Sequence, residues 1–380
     1  MRSPFAVFGA IRRARSPRVP LLIAALAAAA LVAACSGGSG GATATATPAA
    51  TTATATVAAT PTATPTGTPE PRTITFMAGY TPQANLPFVA VYVAQAEGFF
   101  ADEGLTVNIQ HSSGQDEHLK LLVAGKVDFT TGTAAQMLVR HEQGLNDVAV
   151  ALFGQRGDQA YVARADSGIK SPADFKGHSV GFKAGVVPAE LQAMLAGAGL
   201  TEKDVQLQAV GFDPRVFTEG KVDVYPVFID NEPDTIQKAG VPINVIDPAD
   251  FGVPTLGLVY LTRQDLVKQD PEVVTRFLRA TMRATAWIQG HVDQSVQITL
   301  QWAKGADAAH QKYMLETDLK NAQRADGIGR SDPQQWQDLY ATLRKYGVLD
   351  KDIADPASVF DGTFVNQLYT SGQIPAGGGH

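Results

Sequence analysis

Residues 73–110 read TITFMAGYTPQANLPFVAVYVAQAEGFFADEGLTVNIQ, and their reading decides the fold. Thr73 to Ala78 has the composition of a strand, Tyr80 to Pro87 is a loop rich in turn formers, and Pro87 stands where a helix can begin. Val89, Tyr92, Val93, Ala96 and Phe99 then recur at helical spacing across Phe88 to Phe100. Glu103-Gly104 ends that helix before a second strand, Leu105 to Gln110. Strand, helix and strand within forty residues is one βαβ unit.

The rhythm continues with helix Asp116 to Ala124, strand Val127 to Thr130, helix Thr133 to Glu142 and strand Val148 to Phe153. A second series begins after Tyr161 to Arg164. Ser171 to Gly177 gives a short helix and turn, followed by strand Ser179 to Phe182, helix Pro188 to Ala196 and strand Val205 to Val210. A short helix Asp213 to Glu219, strand Val222 to Val227, helix Asp230 to Ala239 and strand Ile243 to Ile246 complete it. Such alternation predicts an α/β protein built from parallel βαβ units. Gly125-Lys-Val-Asp128 and Gly220-Lys-Val-Asp223 fall at the same helix-turn-strand position in the two series, a four-residue internal echo. Beyond the strand-like Gly257 to Thr262 the chain reads as amphipathic helix to Tyr369, including Pro271 to Gln289 and Asp332 to Tyr346. No third sheet is visible.

The first seventy residues are of another kind. Arg2, Arg12, Arg13, Arg15 and Arg18 precede an uncharged apolar run, Leu21 to Val32, too short for a comfortable permanent span. Val32-Ala33-Ala34-Cys35 resembles the lipobox of bacterial lipoproteins, which implies a signal peptide over 1–34 and lipidation of Cys35. Residues 35–72, from the Ser/Gly run through Thr-Ala and Thr-Pro units, hold almost no large apolar side chain and predict a disordered tether. Cys35 is the single cysteine of 380 residues, so no internal disulfide is possible. The net charge of −6 becomes −11 once the five leader arginines are set aside, leaving 26 basic against 37 acidic residues. An acidic mature chain is a poor partner for nucleic acid. The expected location is the extracytoplasmic face of the cell membrane, by lipid anchor.

Asn85-Leu-Pro-Phe88, Tyr92-Val-Ala94, Glu97-Gly-Phe-Phe100, Gly104-Leu-Thr-Val107 and Ala124-Gly-Lys-Val-Asp-Phe129 together resemble the opening of a group of solute-binding proteins. This is the thiamine-pyrimidine-synthase-like and sulfonate/nitrate-binding branch of the type 2 periplasmic-binding fold. Asp174-Phe-Lys-Gly177, Gly220 to Asp223 and Asn231-Glu-Pro233 extend the resemblance, which covers about residues 73–300. It implies two Rossmann-like lobes joined by a hinge of two crossover strands. Lobe one would take 73–162 and 255–380, and lobe two 163–254. It also implies a monomer that holds a small molecule in the cleft and hands it to the permease of an ABC importer and, through that, its ATPase. No cofactor is implied.

Ligands of open α/β sheets settle at the carboxyl ends of strands. That rule selects Tyr80, Asn85 and Phe88 after the first strand, Thr131 and Thr133 after the third, and Gln155 after the fourth. In the second lobe it selects Gly185 and Val187 in the small-residue loop opening at Lys183, then Tyr225, Phe228, Asn231 and Glu232. Phe88 is equally a core residue, Thr133 equally an N-cap and Glu232 equally a lobe-stabilising acid. Asp250 is a weaker candidate. An anion receptor would line these loops with cations, and only Lys183 and Arg156 qualify, beside several acids. A neutral or amine-bearing aromatic fits better. Within the resembled group riboflavin is preferred, ahead of a thiamine-precursor pyrimidine, a sulfonate or nitrate, or a surface lipoprotein without transport role.

The resembled group also contains a pyrimidine-making enzyme with a cysteine-rich iron-binding stretch and a histidine near its first loop. This sequence has no cysteine beyond Cys35, and Leu86 stands where the histidine would be expected. His111, His118, His178, His291 and His310 lack metal-ligand spacing, and no GxSxG or P-loop is present. The sequence therefore reads as a receptor and not as an enzyme.

Overall fold

Asp128 and Asp223, which close the two Gly-Lys-Val-Asp runs, do the same job in two places. The computed structural model describes residues 70–374 apart from Gln115 and Ala184, so the expected signal peptide, Cys35 and most of the expected tether lie outside the described residues. Asp128 Oδ2 accepts from Thr75 N and Asp223 Oδ2 from Ser179 N, each at 2.9 Å. Each carboxylate thus pins the turn entering one strand to the backbone of its neighbour. Gly125 and Gly220 hold φ of 66° and 72°, a conformation that excludes most side chains.

Among the described residues ten strands make two sheets: β1 (Arg72–Ala78), β2 (Leu105–His111), β3 (Phe129–Thr133), β4 (Asp147–Leu152), β5 (Gln159–Arg164), β6 (Ser179–Phe182), β7 (Gln206–Ala209), β8 (Val224–Phe228), β9 (Ile243–Ile246) and β10 (Leu258–Arg263). The orders are β2-β1-β3-β10-β4 and β7-β6-β8-β5-β9. If each lobe's own strands are numbered first to fourth, both orders read second, first, third, borrowed strand, fourth. The sheets are mixed, not parallel throughout. β10 runs antiparallel to β3 and β4, and β5 antiparallel to β8 and β9, because each is delivered from the other lobe.

Local chemistry refines the helices. The expected helix Phe88 to Phe100 is two, Leu86–Ala96 and Phe99–Asp102, broken at Gly98 with φ 80°. The long helix Pro271–Gly290 is capped by Asp270, whose carboxylate accepts from Val273 N. It buries Val274, Phe277, Leu278, Thr281 and Ile288 along one stripe. Phe277 stacks on Phe129 with ring centroids 4.0 Å apart, anchoring that helix to the first sheet. Trp336, wholly buried in helix Pro333–Lys345, fills the sheet's other face among Leu138, Leu152 and Leu261.

Two segments join the lobes, 153–158 between β4 and β5 and 247–257 between β9 and β10. They are zipped to each other: Phe153 N donates to Leu258 O at 2.8 Å, Gly257 N to Gly154 O at 3.0 Å and Gly157 N to Thr255 O at 3.0 Å. Arg156 in one crossing grips Asp247 and Asp250 in the other at 2.7 and 2.8 Å. The zipper needs glycine. A Cβ on Gly257 would stand 2.8 Å from Gly154 Cα, and one on Gly154 2.7 Å from Gly257 Cα, with backbone that cannot swing aside. Gly257→Ala should therefore lower the urea unfolding free energy by about 1–3 kcal/mol, the usual cost of overpacking. An unchanged midpoint would show that the crossings part freely.

Candidate functional site

Between the sheets lies a cavity of about 510 Å³, walled by both lobes and by the first crossing segment. That is within the range of about 300–1,000 Å³ in which small-molecule sites usually fall. From the first lobe come Tyr80, Asn85 and Phe88, with Thr131 and Thr133 at the end of β3. From the second come Val187, Phe212 and Phe228. Tyr80 and Phe212 face each other across the lobes with ring centroids 4.3 Å apart. Thr131 Oγ1 accepts from Gly79 N at 3.0 Å, and Thr133 forms a capping box with Gln136 while still lining the cavity. Phe88 is 2% exposed and serves both the core of the first lobe and the cavity wall.

Five residues expected at the site stand elsewhere. Gln155 turns outward, donating to Arg330 O at 3.2 Å and accepting from Arg324 and Gln335. Gly185 is an exposed turn residue with φ 74°. Tyr225 is wholly buried, and its hydroxyl donates to Gly211 O at 2.9 Å. Asn231 contacts His310 Nε2 at 2.9 Å. Glu232 forms an ion pair with Lys183 and accepts from Phe228 N at 2.8 Å, so it takes the lobe-stabilising part. Asp250, the weaker candidate, is held by Arg156 at the hinge. The arrangement of aromatic rings beside an acid exists as expected, but a side chain fills it. Lys183 Nζ lies 5.3, 5.0 and 5.3 Å from the ring centres of Phe212, Tyr225 and Phe228.

Three functional side chains escaped the sequence reading. Phe212 follows β7, where the carboxyl-end rule applies, and Gly211-Phe212 was the available signal. Asp158 stands directly before β5, and Glu190 sits in the first turn of helix Ala189–Gly197, just past the loop that the rule selected. Both line the cavity, 7% and 5% exposed. Burial pushes the Asp158 carboxyl up to about 6 and the Glu190 carboxyl up to about 7. Burial likewise holds His118, in the opposite wall, down to about 4, so its imidazole is neutral at physiological pH. The two cations of the wall are paired, Lys183 with Glu232 and Arg140, through Nε, with Asp147, while Arg140 Nη2 is buried without a partner. Among the described residues no group of three or more His, Cys, Asp or Glu side chains is placed to hold a metal ion.

The lobes are also tied beside the cavity. Asn85 Nδ2 donates to Asp230 Oδ2 at 2.9 Å. Helix Ala308–Ala322 of the first lobe sends His310 to Asp234 and Asn231, and Tyr313 to Ile229 O at 3.3 Å. Asp318 on the same helix accepts from Leu86 N at 2.8 Å and meets the Asp230 carboxyl across the lobes. Burial and mutual repulsion raise Asp230 well above its ordinary range, and burial raises Asp318 to about 7. The pair therefore holds a proton.

Two lobes of one sheet order, set about a cavity at a double crossing, have the architecture of the periplasmic-binding fold. The chain belongs to the NMT1/THI5-like family, whose model matches residues 85–295. It is 30% identical to the riboflavin-binding protein RibY of Chloroflexus aurantiacus over 80% of this chain and 86% of that one. It is 25% identical to the formylaminopyrimidine-binding protein of Halalkalibacterium halodurans over 74% and 87%. Proteins named as 4-amino-5-hydroxymethyl-2-methylpyrimidine phosphate synthases from Saccharomyces cerevisiae match at 21%. In structure it resembles the periplasmic aliphatic sulphonate binding protein SsuA of Escherichia coli, with a TM-score of 0.59 at 16% identity, covering 77% of this chain and 93% of that one.

Two outcomes follow from the buried charges. Lys183→Met strands Glu232 in a dry site and should cost about 3–5 kcal/mol of stability, while adding Glu232→Gln should restore most of it; equal destabilisation by single and double variants would refute this. The proton held by Asp230 and Asp318 would leave an unfolded aspartate near its ordinary value of 3.8. Stability from this contact is thus present at low pH and declines as pH rises toward 7. Between pH 5 and 8 the Tm of Asp318→Asn should fall less than that of the parent. Parallel Tm curves would place the proton elsewhere.

Proposed function

We propose that this protein is the extracytoplasmic receptor of an ABC-type vitamin importer, that its ligand is a neutral planar heteroaromatic, and that riboflavin is that ligand. One observation carries the reading: the inter-lobe cavity joins aromatic faces to acids whose protonated form is favoured by burial, while the charges of its cations are offset by paired carboxylates. A sulfonate or nitrate would meet only cations whose charge Glu232 and Asp147 already offset, Lys183 and Arg140. A flat, uncharged ring packed against the cavity wall formed by Tyr80, Phe88, Phe212 and Phe228 costs no such pair and gains aromatic contact. The preference for riboflavin draws support from the relative whose name states that ligand. Formylaminopyrimidine, named for a second relative, is the alternative. Receptor activity, and not synthesis, accords with a sequence whose single cysteine is Cys35. The lipobox-like run at Cys35 and the tether after it belong to this proposal, as does handover to a permease.

Titration calorimetry of the purified protein against riboflavin, formylaminopyrimidine and an alkanesulfonate tests the reading. Riboflavin should bind, and at about 100 times Kd should add about 2.7 kcal/mol of stability, readable as a rise in Tm. Phe212→Ala should weaken it about tenfold, through lost stacking and burial. Tight binding of the sulfonate alone would overturn the ligand class, and tight binding of the pyrimidine alone would replace riboflavin. In cells, Cys35→Ser should move the protein from the membrane fraction to the soluble one; retention on the membrane would argue against the lipid anchor.

A further inference from the structure

Asp158 ends the first crossing segment and Glu190 opens a helix of the second lobe, yet both carboxyl groups reach the same cavity. The acids that act on Asp158 are engaged. Glu232 is paired with Lys183, Asp230 accepts from Asn85 and meets Asp318, and Asp318 also accepts from Leu86 N. Asp158 and Glu190 have no side-chain hydrogen bond or ion pair among the described residues. Their only partners are the backbone N–H groups of Asp158 and Gln159, and of Glu190. Both are more than nine-tenths buried. The charged or titratable groups around them are Glu232, Asp230 and Asp318 near Asp158, Tyr161 near Glu190, and the two acids themselves. The facing wall adds Tyr80, Asp116, the neutral His118, Arg140 held by Asp147, and Lys183 held by Glu232.

A protonated carboxyl group presents an O–H donor beside a C=O acceptor. Its planar complement is an edge with an acceptor beside a donor, as in an imide, a lactam or an aminopyrimidine. We propose that Asp158 and Glu190 are the specificity-determining residues of the cavity, that in their protonated form they pair with a neutral donor-acceptor edge of the ligand ring, and that ligand uptake is consequently linked to a proton. This rests on the receptor reading above and deepens it. A neutral ligand displaces the water that remains around these acids, which favours the protonated form further. Affinity is accordingly greatest at low pH and falls as pH rises through the range in which the acids ionise. A cationic ligand would give the opposite slope.

The test is calorimetry of riboflavin on the full chain between pH 6 and pH 8. For one linked proton Kd should rise about tenfold over that interval. Glu190→Gln and Asp158→Asn keep donor and acceptor without ionising, so at least one should bind with a flattened pH profile, whereas Glu190→Ala should bind weakly throughout. A flavin methylated on its imide nitrogen, which lacks the edge N–H, should bind the unaltered protein at least tenfold more weakly than riboflavin. That arm stands even if a variant fails to fold. A flat profile in the parent, a slope unchanged in both amide variants, or full affinity for the methylated flavin would overturn the proposal. If riboflavin fails at every pH while formylaminopyrimidine binds with the expected slope, the ligand assignment falls and the acid-edge pairing stands.

Discussion

The chain crosses twice between its sheets, and the rest of the molecule depends on how closely those crossings approach. Gly154 and Gly257 let two backbones come into contact, so that hydrogen bonds at Phe153, Gly157 and Gly257 join them as a short ribbon. Each crossing delivers a strand that its receiving sheet needs at an interior position: β5 between β8 and β9, and β10 between β3 and β4. Neither sheet is complete without chain from the other side. The cavity floor is consequently built from the same segment that carries Asp158. Distortion of the ribbon would be felt at once in the wall of the site and in the register of both sheets.

Much of the fold was legible in the sequence because its signals are local. Strand Ile243–Ile246 and helix Pro271–Gly290 were readable from composition and periodicity, and the Gly-Lys-Val-Asp echo proved to mark equivalent hydrogen bonds in the two lobes. The direction of β5 and β10 was not legible, since a strand's neighbours are set by where the chain comes from and not by its residues. The site was half legible. Tyr80, Asn85, Phe88, Thr131, Thr133, Val187 and Phe228 follow the carboxyl-end rule and stand in the wall. Glu232 obeys the same rule, yet it pairs with Lys183, forty-nine residues away along the chain, while Tyr225 is the second residue of β8 and sends its hydroxyl to Gly211 O within the lobe. Asp318 was hidden for a different reason: its helix lies in the C-terminal part, beyond the strand-helix series that guided the search.

The electrostatics of the cavity come from subtraction. Acids outnumber bases in the chain, and burial and pairing reduce the negative charge that its acids present to the cavity. Some acids are neutralised by a specific cation, as Asp147 and Glu232 are, and others by burial, as Asp158 and Glu190 are in part. A site assembled this way discriminates less by attraction than by the energy an ill-matched ligand must spend to disturb it.

The three rings around the Lys183 ammonium extend this reasoning. Aromatic boxes of this kind are a common means of capturing amines from solution. Here the box already contains a tethered amine, compensated by its own carboxylate. A free amine seeking that box would have to compete with an occupant whose local concentration never falls, so the side chain acts there as a permanent resident inhibitor.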